Sequence, residues 1–258
     1  MFRFHPRSTS VVLAALALAI ASLPATAERL RTEYQPIELE AIAEGLSEPW
    51  ALTFLPDGDL LVTERPGRLL RVTLDGDVTE IDGLPEVAPR GQGGLLDVVT
   101  HPDYGDGEHD WVYFTWSQAG SDGVNSATTL SRGKLDGDRL IDVEQVFIQD
   151  RFSTPGRHYG SRLAWLPDGT LLMSIGDRGA EPPRAQDLND HAGTLLRIND
   201  DGSVPADNPF ASRADARPEI WTWGNRNIQG LVVHPETGQA WSTEHGPRGG
   251  DELNLMTP

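Results

Sequence analysis

His158 and Asp177 are the pair in this sequence best suited to moving a proton. His158 lies in Ser153-Thr-Pro-Gly-Arg-His158-Tyr-Gly-Ser-Arg-Leu163, a polar stretch that runs straight into an apolar strand. Asp177 lies in Ser174-Ile-Gly-Asp177-Arg-Gly179, where the following strand ends. In an antiparallel hairpin the start of one strand neighbours the end of the next, so the two side chains can meet. A carboxylate that takes one imidazole N–H fixes the tautomer and leaves the other nitrogen basic, which makes a general base. A loop histidine hydrogen-bonded only for structure is the plainer alternative. His101 and His234 sit in a repeated turn and are expected to be structural.

A second concentration of chemistry flanks the turn Pro235-Glu-Thr-Gly238, with short apolar runs at 231–233 and 240–242 on either side. This is a β-hairpin pattern. Before it, Arg226, Asn227 and Gln229 offer a guanidinium fork and two amides, a set suited to an anionic, carbonyl-rich ligand. After it, Gly246-Pro247 and two further glycines force a loop with uncommitted carbonyls, followed by Asp251 and Glu252. Free carbonyls and carboxylates are ligands for hard cations. Gln92, in Arg90-Gly-Gln92-Gly-Gly-Leu95, stands just before a strand, as His158 and Asn227 do. No Ser/His/Asp triad spacing, phosphate-cradling glycine loop or His/Cys zinc spacing is evident.

The elements that would position these residues form a repeat. Phe54-Leu-Pro-Asp-Gly58 returns as Thr100-His-Pro-Asp103, Trp165-Leu-Pro-Asp-Gly169 and Val233-His-Pro-Glu-Thr-Gly238, with prolines 46, 65 and 68 residues apart. Strands are expected after each turn, at 60–63, 111–116, 171–175 and 240–243. Further strands at 50–54, 68–73 and 78–81 complete a four-stranded up-and-down sheet, and 28–43 reads as one weak first strand. Pro182 to Asp190 could hold a helical turn. Four strands per repeat at somewhat above forty residues indicate an all-β chain of the β-propeller class. A β-sandwich with long loops is the alternative. In a propeller, Gln92, His158, Arg226, Asn227 and Gln229 would converge at one end of the central channel.

Residues 1–27 have the layout of a secretory signal peptide: Arg3 and Arg7, an apolar run at 11–23, and Ala25-Thr26-Ala27. The remainder, 28–258, is expected to be soluble and periplasmic or secreted, with no membrane span after cleavage. The formal charge of −18 becomes −20 without Arg3 and Arg7, which makes nucleic acid an unlikely partner. There is no cysteine, so disulfides do not contribute.

The chain resembles the glucose/sorbosone dehydrogenase family of soluble quinoproteins over about 46–255. The resemblance rests on five motifs in order. They are Gly91-Gln-Gly-Gly-Leu-Leu96 with His101-Pro-Asp103, His158-Tyr-Gly-Ser-Arg-Leu163, Ile175-Gly-Asp-Arg-Gly179, Gly224-Asn-Arg-Asn-Ile-Gln-Gly230 and Glu244-His-Gly-Pro-Arg-Gly-Gly-Asp-Glu252. It implies a six-bladed β-propeller that binds pyrroloquinoline quinone (PQQ) and calcium, of which about four blades are present here. The chain is therefore expected to be a fragment that, alone, associates and oxidises no sugar.

By resemblance His158 is the catalytic base and Asp177 the acid that orients it. Gln92, Arg226, Asn227 and Gln229 look like PQQ ligands. The carbonyls of Gly246 and Pro247 look like ligands of the calcium that holds PQQ, and Glu252 like a ligand of a second, structural calcium. The implied reaction oxidises the anomeric hydroxyl of an aldose sugar to a lactone, with hydride transfer to PQQ and an external electron acceptor. Arg157 stands where some glucose-specific members carry an acid, which favours a broader aldose preference. Two alternatives differ in what they require. A calcium-dependent propeller lactonase needs carboxylates and amides around one axial ion. A non-catalytic interaction module needs no histidine–aspartate pair in a pocket.

Overall fold

A computed structural model describes residues 28–258 except Pro155 and Ala180; the leader read from the sequence lies outside them. Two units are present, divided after Ala41. In the first, β1 (Glu28–Arg31) and β2 (Pro36–Leu39) form an antiparallel hairpin. The single strand expected over 28–43 is thus two. Thr32 causes the break: its hydroxyl donates to the Gln35 carbonyl at 2.6 Å and accepts the Gln35 N–H at 3.2 Å, closing a tight turn before Pro36.

The second unit is a series of antiparallel sheets with the strand order of propeller blades. The first blade contains β3 (Pro49–Phe54), β4 (Leu60–Glu64), β5 (Arg68–Val72) and β6 (Val78–Ile81). The second contains β7 (Leu95–Thr100), β8 (Trp111–Ala119), β9 (Ser126–Asp136) and β10 (Arg139–Ile148). The third contains β11 (Leu163–Trp165), β12 (Leu171–Ile175), β13 (Thr194–Ile198) and β14 (Ile220–Trp223). The fourth has three strands, β15 (Ile228–Val233), β16 (Ala240–Glu244) and β17 (Glu252–Met256). A 3₁₀ turn at Pro182–Gln186 links β12 to β13. No helix among the described residues is long and apolar enough to cross a membrane.

The repeated Pro turn joins the first and second strands of every blade. In the first, third and fourth blades the residue before Pro donates its N–H across the turn, from Leu55 to Asp59, Leu166 to Thr170 and His234 to Gln239. Where that residue is histidine the imidazole caps the turn. His101 Nδ1 accepts the Asp103 N–H at 3.1 Å, and His234 Nδ1 accepts the N–H groups of Glu236 and Thr237.

Alternation along the strands builds the core between blades. Leu61 of β4 points into a cluster with Leu95, Val98 and Phe114 of the second blade, while Leu60 and Val62 face the opposite side. In β12, Leu171, Met173 and Ile175 pack against Tyr113 and Leu130 of the second blade, and Leu172 packs against Ile228 and Leu231 of the fourth. An inner strand covered on both faces is mostly apolar, and β12 is so except at Ser174, whose buried hydroxyl accepts the Arg162 N–H at 2.9 Å.

A charged clamp supplements the apolar contact between the second and third blades. Buried His191 lies 3.0 Å from Asp150, just past β10, and its Nε2 meets Glu219, just before β14. Burial alone would lower the imidazole pKa, but the two carboxylates together outweigh it and hold the pKa above the ordinary histidine value. A pKa raised by folding contributes stability that is complete below about 6.5 and is lost as pH climbs through the folded value. We therefore expect His191→Gln to cost about 2 kcal/mol near pH 6, the scale of hydrogen bonds to charged groups, and clearly less near pH 9. Urea midpoints at the two pH values check this; an equal loss at both would show that the imidazole is not charged in the clamp.

Candidate active site

The first strands β3, β7, β11 and β15 neighbour one another, and the loops that enter them meet at one end of the channel. A cleft of about 260 Å³ opens there, lined among others by Trp50, Arg65, Gln92, Tyr159, Asn227 and Gln229. One side chain ties the cleft together from below. Arg162, immediately before β11, stacks on Trp50 at 4.1 Å, pairs with Asp97 of β7 at 3.4 Å and donates to the Gln229 carbonyl at 2.7 Å. The guanidinium of this third-blade residue thus touches the other three blades.

His158 and Asp177 are in contact, with Nδ1 2.6 Å from Oδ1, and both are buried. The hairpin β11–β12 brings them together, and the chains press so close that a Cβ on Gly176 would lie 2.1 Å from the His158 carbonyl oxygen. Only glycine fits there. Burial alone would raise the Asp177 carboxyl. Hydrogen bonds from His158 and the Gly179 N–H, with the charge of Arg226, hold it below the ordinary aspartate value. An ionised Asp177 requires Nδ1 to carry the proton, which leaves the Nε2 lone pair free to act as a base.

The amides of the cleft have fixed orientations. The His158 N–H donates to Gln92 Oε1 at 2.8 Å, and the Gly160 N–H donates to Asn227 Oδ1 at 3.1 Å. Each backbone donor demands an oxygen, so each NH₂ group is directed elsewhere. Among the described residues neither Gln92 Nε2 nor Asn227 Nδ2 has a protein partner. Gln229, which belongs to β15 rather than to the loop before it, donates to the Gly160 carbonyl at 3.2 Å and to Asn227 Oδ1 at 3.3 Å. Arg226 is not brought into the lining; its Nη1 donates to the His245 carbonyl at 2.7 Å.

The loop after β16 forms a neighbouring site. A cavity of about 330 Å³ shares Gln229 and His245 with the cleft and is also lined by Glu244, Asp251 and Glu252. A Cβ on Gly246 would meet the Gly250 carbonyl oxygen at 2.3 Å, so the loop closes on itself only with glycine there. Among the described residues no donor bonds the Gly246 or Pro247 carbonyl. Glu244 and Glu252 stand opposite each other across β16–β17. Burial, and then the neighbouring Glu252, raise the Glu244 carboxyl above the ordinary glutamate value. Two facing carboxylates beside free carbonyls form a donor set that a hard cation satisfies.

Sequence reasoning missed Glu244, Trp50 and Arg65. Glu244 accepts the backbone N–H groups of Arg226 at 2.7 Å and Asn227 at 3.2 Å, and so fixes the loop that carries both. The repeat held the signal, because Glu64 ends β4 as Glu244 ends β16 and accepts the Ser47 N–H at 2.5 Å.

A profile of the family described as Glucose / Sorbosone dehydrogenase matches residues 46–258. The chain is 45% identical over 249 residues to the uncharacterized protein slr1608 of Synechocystis, covering 89% of this chain and 59% of that protein. It is 38% identical over 249 residues to the aldose sugar dehydrogenase YliI of Escherichia coli, covering 95% of this chain and 63% of that protein. The structure of the PQQ-bound form of an aldose sugar dehydrogenase from Streptomyces coelicolor superimposes with a TM-score of 0.71 at 30% identity, covering 92% of this chain and 66% of that one. The chain thus spans about 60% of the length of the relatives it matches.

Proposed function

Because the chain belongs to the glucose/sorbosone dehydrogenase family, we propose that the protein is a quinoprotein oxidoreductase. It oxidises the anomeric hydroxyl of an aldose to the lactone, with PQQ and calcium as cofactors and an external electron acceptor. The observation that carries this reading is the ionised Asp177 against His158, beside a cleft whose amide donors are held open. The aldose dehydrogenase YliI and the PQQ-bound Streptomyces relative support it.

The residues fit the quinone, which is planar and carries carboxylates and carbonyls. Gln92 Nε2 and Asn227 Nδ2 would donate to its oxygens and Gln229 would hold the amide row in place, while Arg226, outside the lining, would have to leave the His245 carbonyl to pair with a carboxylate. The carbonyls of Gly246 and Pro247 would hold one calcium, and Glu252 with Glu244 a second. Bound there, the quinone supplies a two-electron acceptor and the calcium beside it a Lewis acid. His158 Nε2 takes the proton of the anomeric hydroxyl, and Asp177 steadies the resulting imidazolium through Nδ1. Export by residues 1–27 would place the protein in the periplasm or outside the cell.

The lactonase reading is less favoured, because it needs free carboxylates around one ion and Asp97, between β7 and β11, is paired with Arg162 and the Leu163 N–H. The interaction module is disfavoured by the buried His158–Asp177 pair.

Calcium removal tests the cofactor assignment. Chelation of the full-length protein is expected to weaken quinone binding at least tenfold, about 1.4 kcal/mol, while the melting temperature moves by only a few degrees. Fluorescence titration with PQQ, before and after chelation, reads the first quantity. Unchanged quinone affinity would remove Gly246 and Pro247 from the site.

A further inference from the structure

Among the described residues Arg178 is the largest side chain wholly withdrawn from solvent, yet it pairs with no carboxylate there. Its Nη1 donates to the Arg157 carbonyl at 3.0 Å, and its Nη2 to the Ser126 hydroxyl at 3.3 Å. The guanidinium lies 3.5 Å over the ring of Tyr159, and Nε has no partner. A buried cation without a counter-ion is costly to the fold, and an apolar side chain of similar volume is often neutral or better. Packing alone gives no reason for an arginine here.

Its contacts supply one. The peptide unit between Arg157 and His158 is gripped at both polar atoms, its carbonyl by Arg178 and its N–H by Gln92 at 2.8 Å. That unit leads into His158, whose φ of +53° is in the left-handed region that residues other than glycine seldom enter. Arg178 itself has φ of +61°, so the chain reverses immediately after Asp177 and returns the guanidinium to the residue before the base. The Ser126 hydroxyl, 2.7 Å from the Tyr159 hydroxyl, fixes the far side of the guanidinium.

We infer that Arg178 is a positioning residue: by holding the Arg157 carbonyl it locks the left-handed backbone of His158 and sets the imidazole against Asp177. This deepens the dehydrogenase reading and rests on His158 being its base.

The test uses the full-length protein and two readouts, the low-field ¹H NMR resonance of the His158 Nδ1 proton and kcat with PQQ and calcium. In Arg178→Met the resonance is expected to shift or vanish and kcat to fall about 100-fold, the cost of a small misplacement of a catalytic group. Quinone affinity stays within about threefold, and the melting temperature holds or rises, as expected when an unpaired buried charge is removed. A purely structural role predicts the reverse, a lower melting temperature with kcat retained. Arg178→Lys keeps a donor but not the fork and is expected to lose about tenfold in kcat. An unshifted resonance with wild-type kcat in either variant overturns the proposal, so failure of the methionine variant to fold does not shield it. If the unmodified protein oxidises no sugar with PQQ, the dehydrogenase reading fails, while the resonance still decides the role of Arg178.

Discussion

His158→Ala, in the full-length protein reconstituted with PQQ and calcium, is expected to lose about 10² to 10⁴ in kcat, the usual worth of a general base. Quinone affinity should change little, because the side chain of His158 contacts Asp177 and only its backbone N–H engages Gln92. That N–H survives in the alanine variant. Asp177→Asn should lose less than His158→Ala, since an imidazole remains but the group that fixes its tautomer no longer accepts the Nδ1 proton. Steady-state kinetics of both variants with one aldose check the order. Near-normal turnover in His158→Ala would end its assignment as the base, and equal losses would show that Asp177 has a further role.

Asp97→Ala is expected to produce the largest loss of stability. The Asp97 carboxylate accepts from the Leu163 N–H at 2.8 Å and the Val98 N–H at 3.0 Å and pairs with Arg162. Burial pushes this carboxyl above the ordinary aspartate value, against the pull of Arg162 and the two N–H groups. The fold therefore gives up stability at neutral pH to keep the charge, which suits a pair retained for geometry. Removing the carboxylate alone leaves the guanidinium without its counter-charge and the Leu163 N–H without its acceptor. We expect a cost of about 3 kcal/mol, the low end for breaking a buried pair, because Arg162 keeps some solvent access. In the double variant Asp97→Val/Arg162→Met much of that stability should return, since no orphan charge remains. Denaturant midpoints of the three proteins decide the matter, and a double variant no better than Asp97→Ala would contradict it.

The fold was legible near the repeated Pro turns; the buried strands β9 and β13, and β14, lie away from those turns and were not read from the sequence. The Pro turns marked the first hairpin of each blade, and β4, β5, β12 and β16 fell where alternation or an apolar run put them. The outer strand β10 was not legible. It is mostly exposed, and two register shifts, between Ile141 and Glu144 and between Gln145 and Phe147, destroy its alternation. The N-terminal segment misled for a local reason, the Thr32 turn.

Within the site, the contact between His158 and Asp177 was readable because hairpin topology dictates it. Arg178 was not, since an arginine among glycines reads as solvent-facing, whereas here it is fully buried. Glu64 and Glu244 each end the second strand of their blades and Asp177 lies two residues past the end of β12, yet each accepts a hydrogen from the loop entering the first strand. In two blades that hydrogen is a backbone N–H; in the third it is the imidazole N–H of His158. The proposed catalytic carboxylate thus sits two residues beyond the place where the other two blades put a structural one.

The central claim is tested most directly by titrating the metal-free, quinone-free full-length protein with PQQ, with and without calcium, while following aldose-dependent dye reduction. The account predicts saturable quinone uptake that requires calcium, sugar oxidation that rises in step with it, and a signal that disappears in His158→Ala. Quinone uptake without sugar oxidation, or lactone hydrolysis by the quinone-free protein, would contradict it.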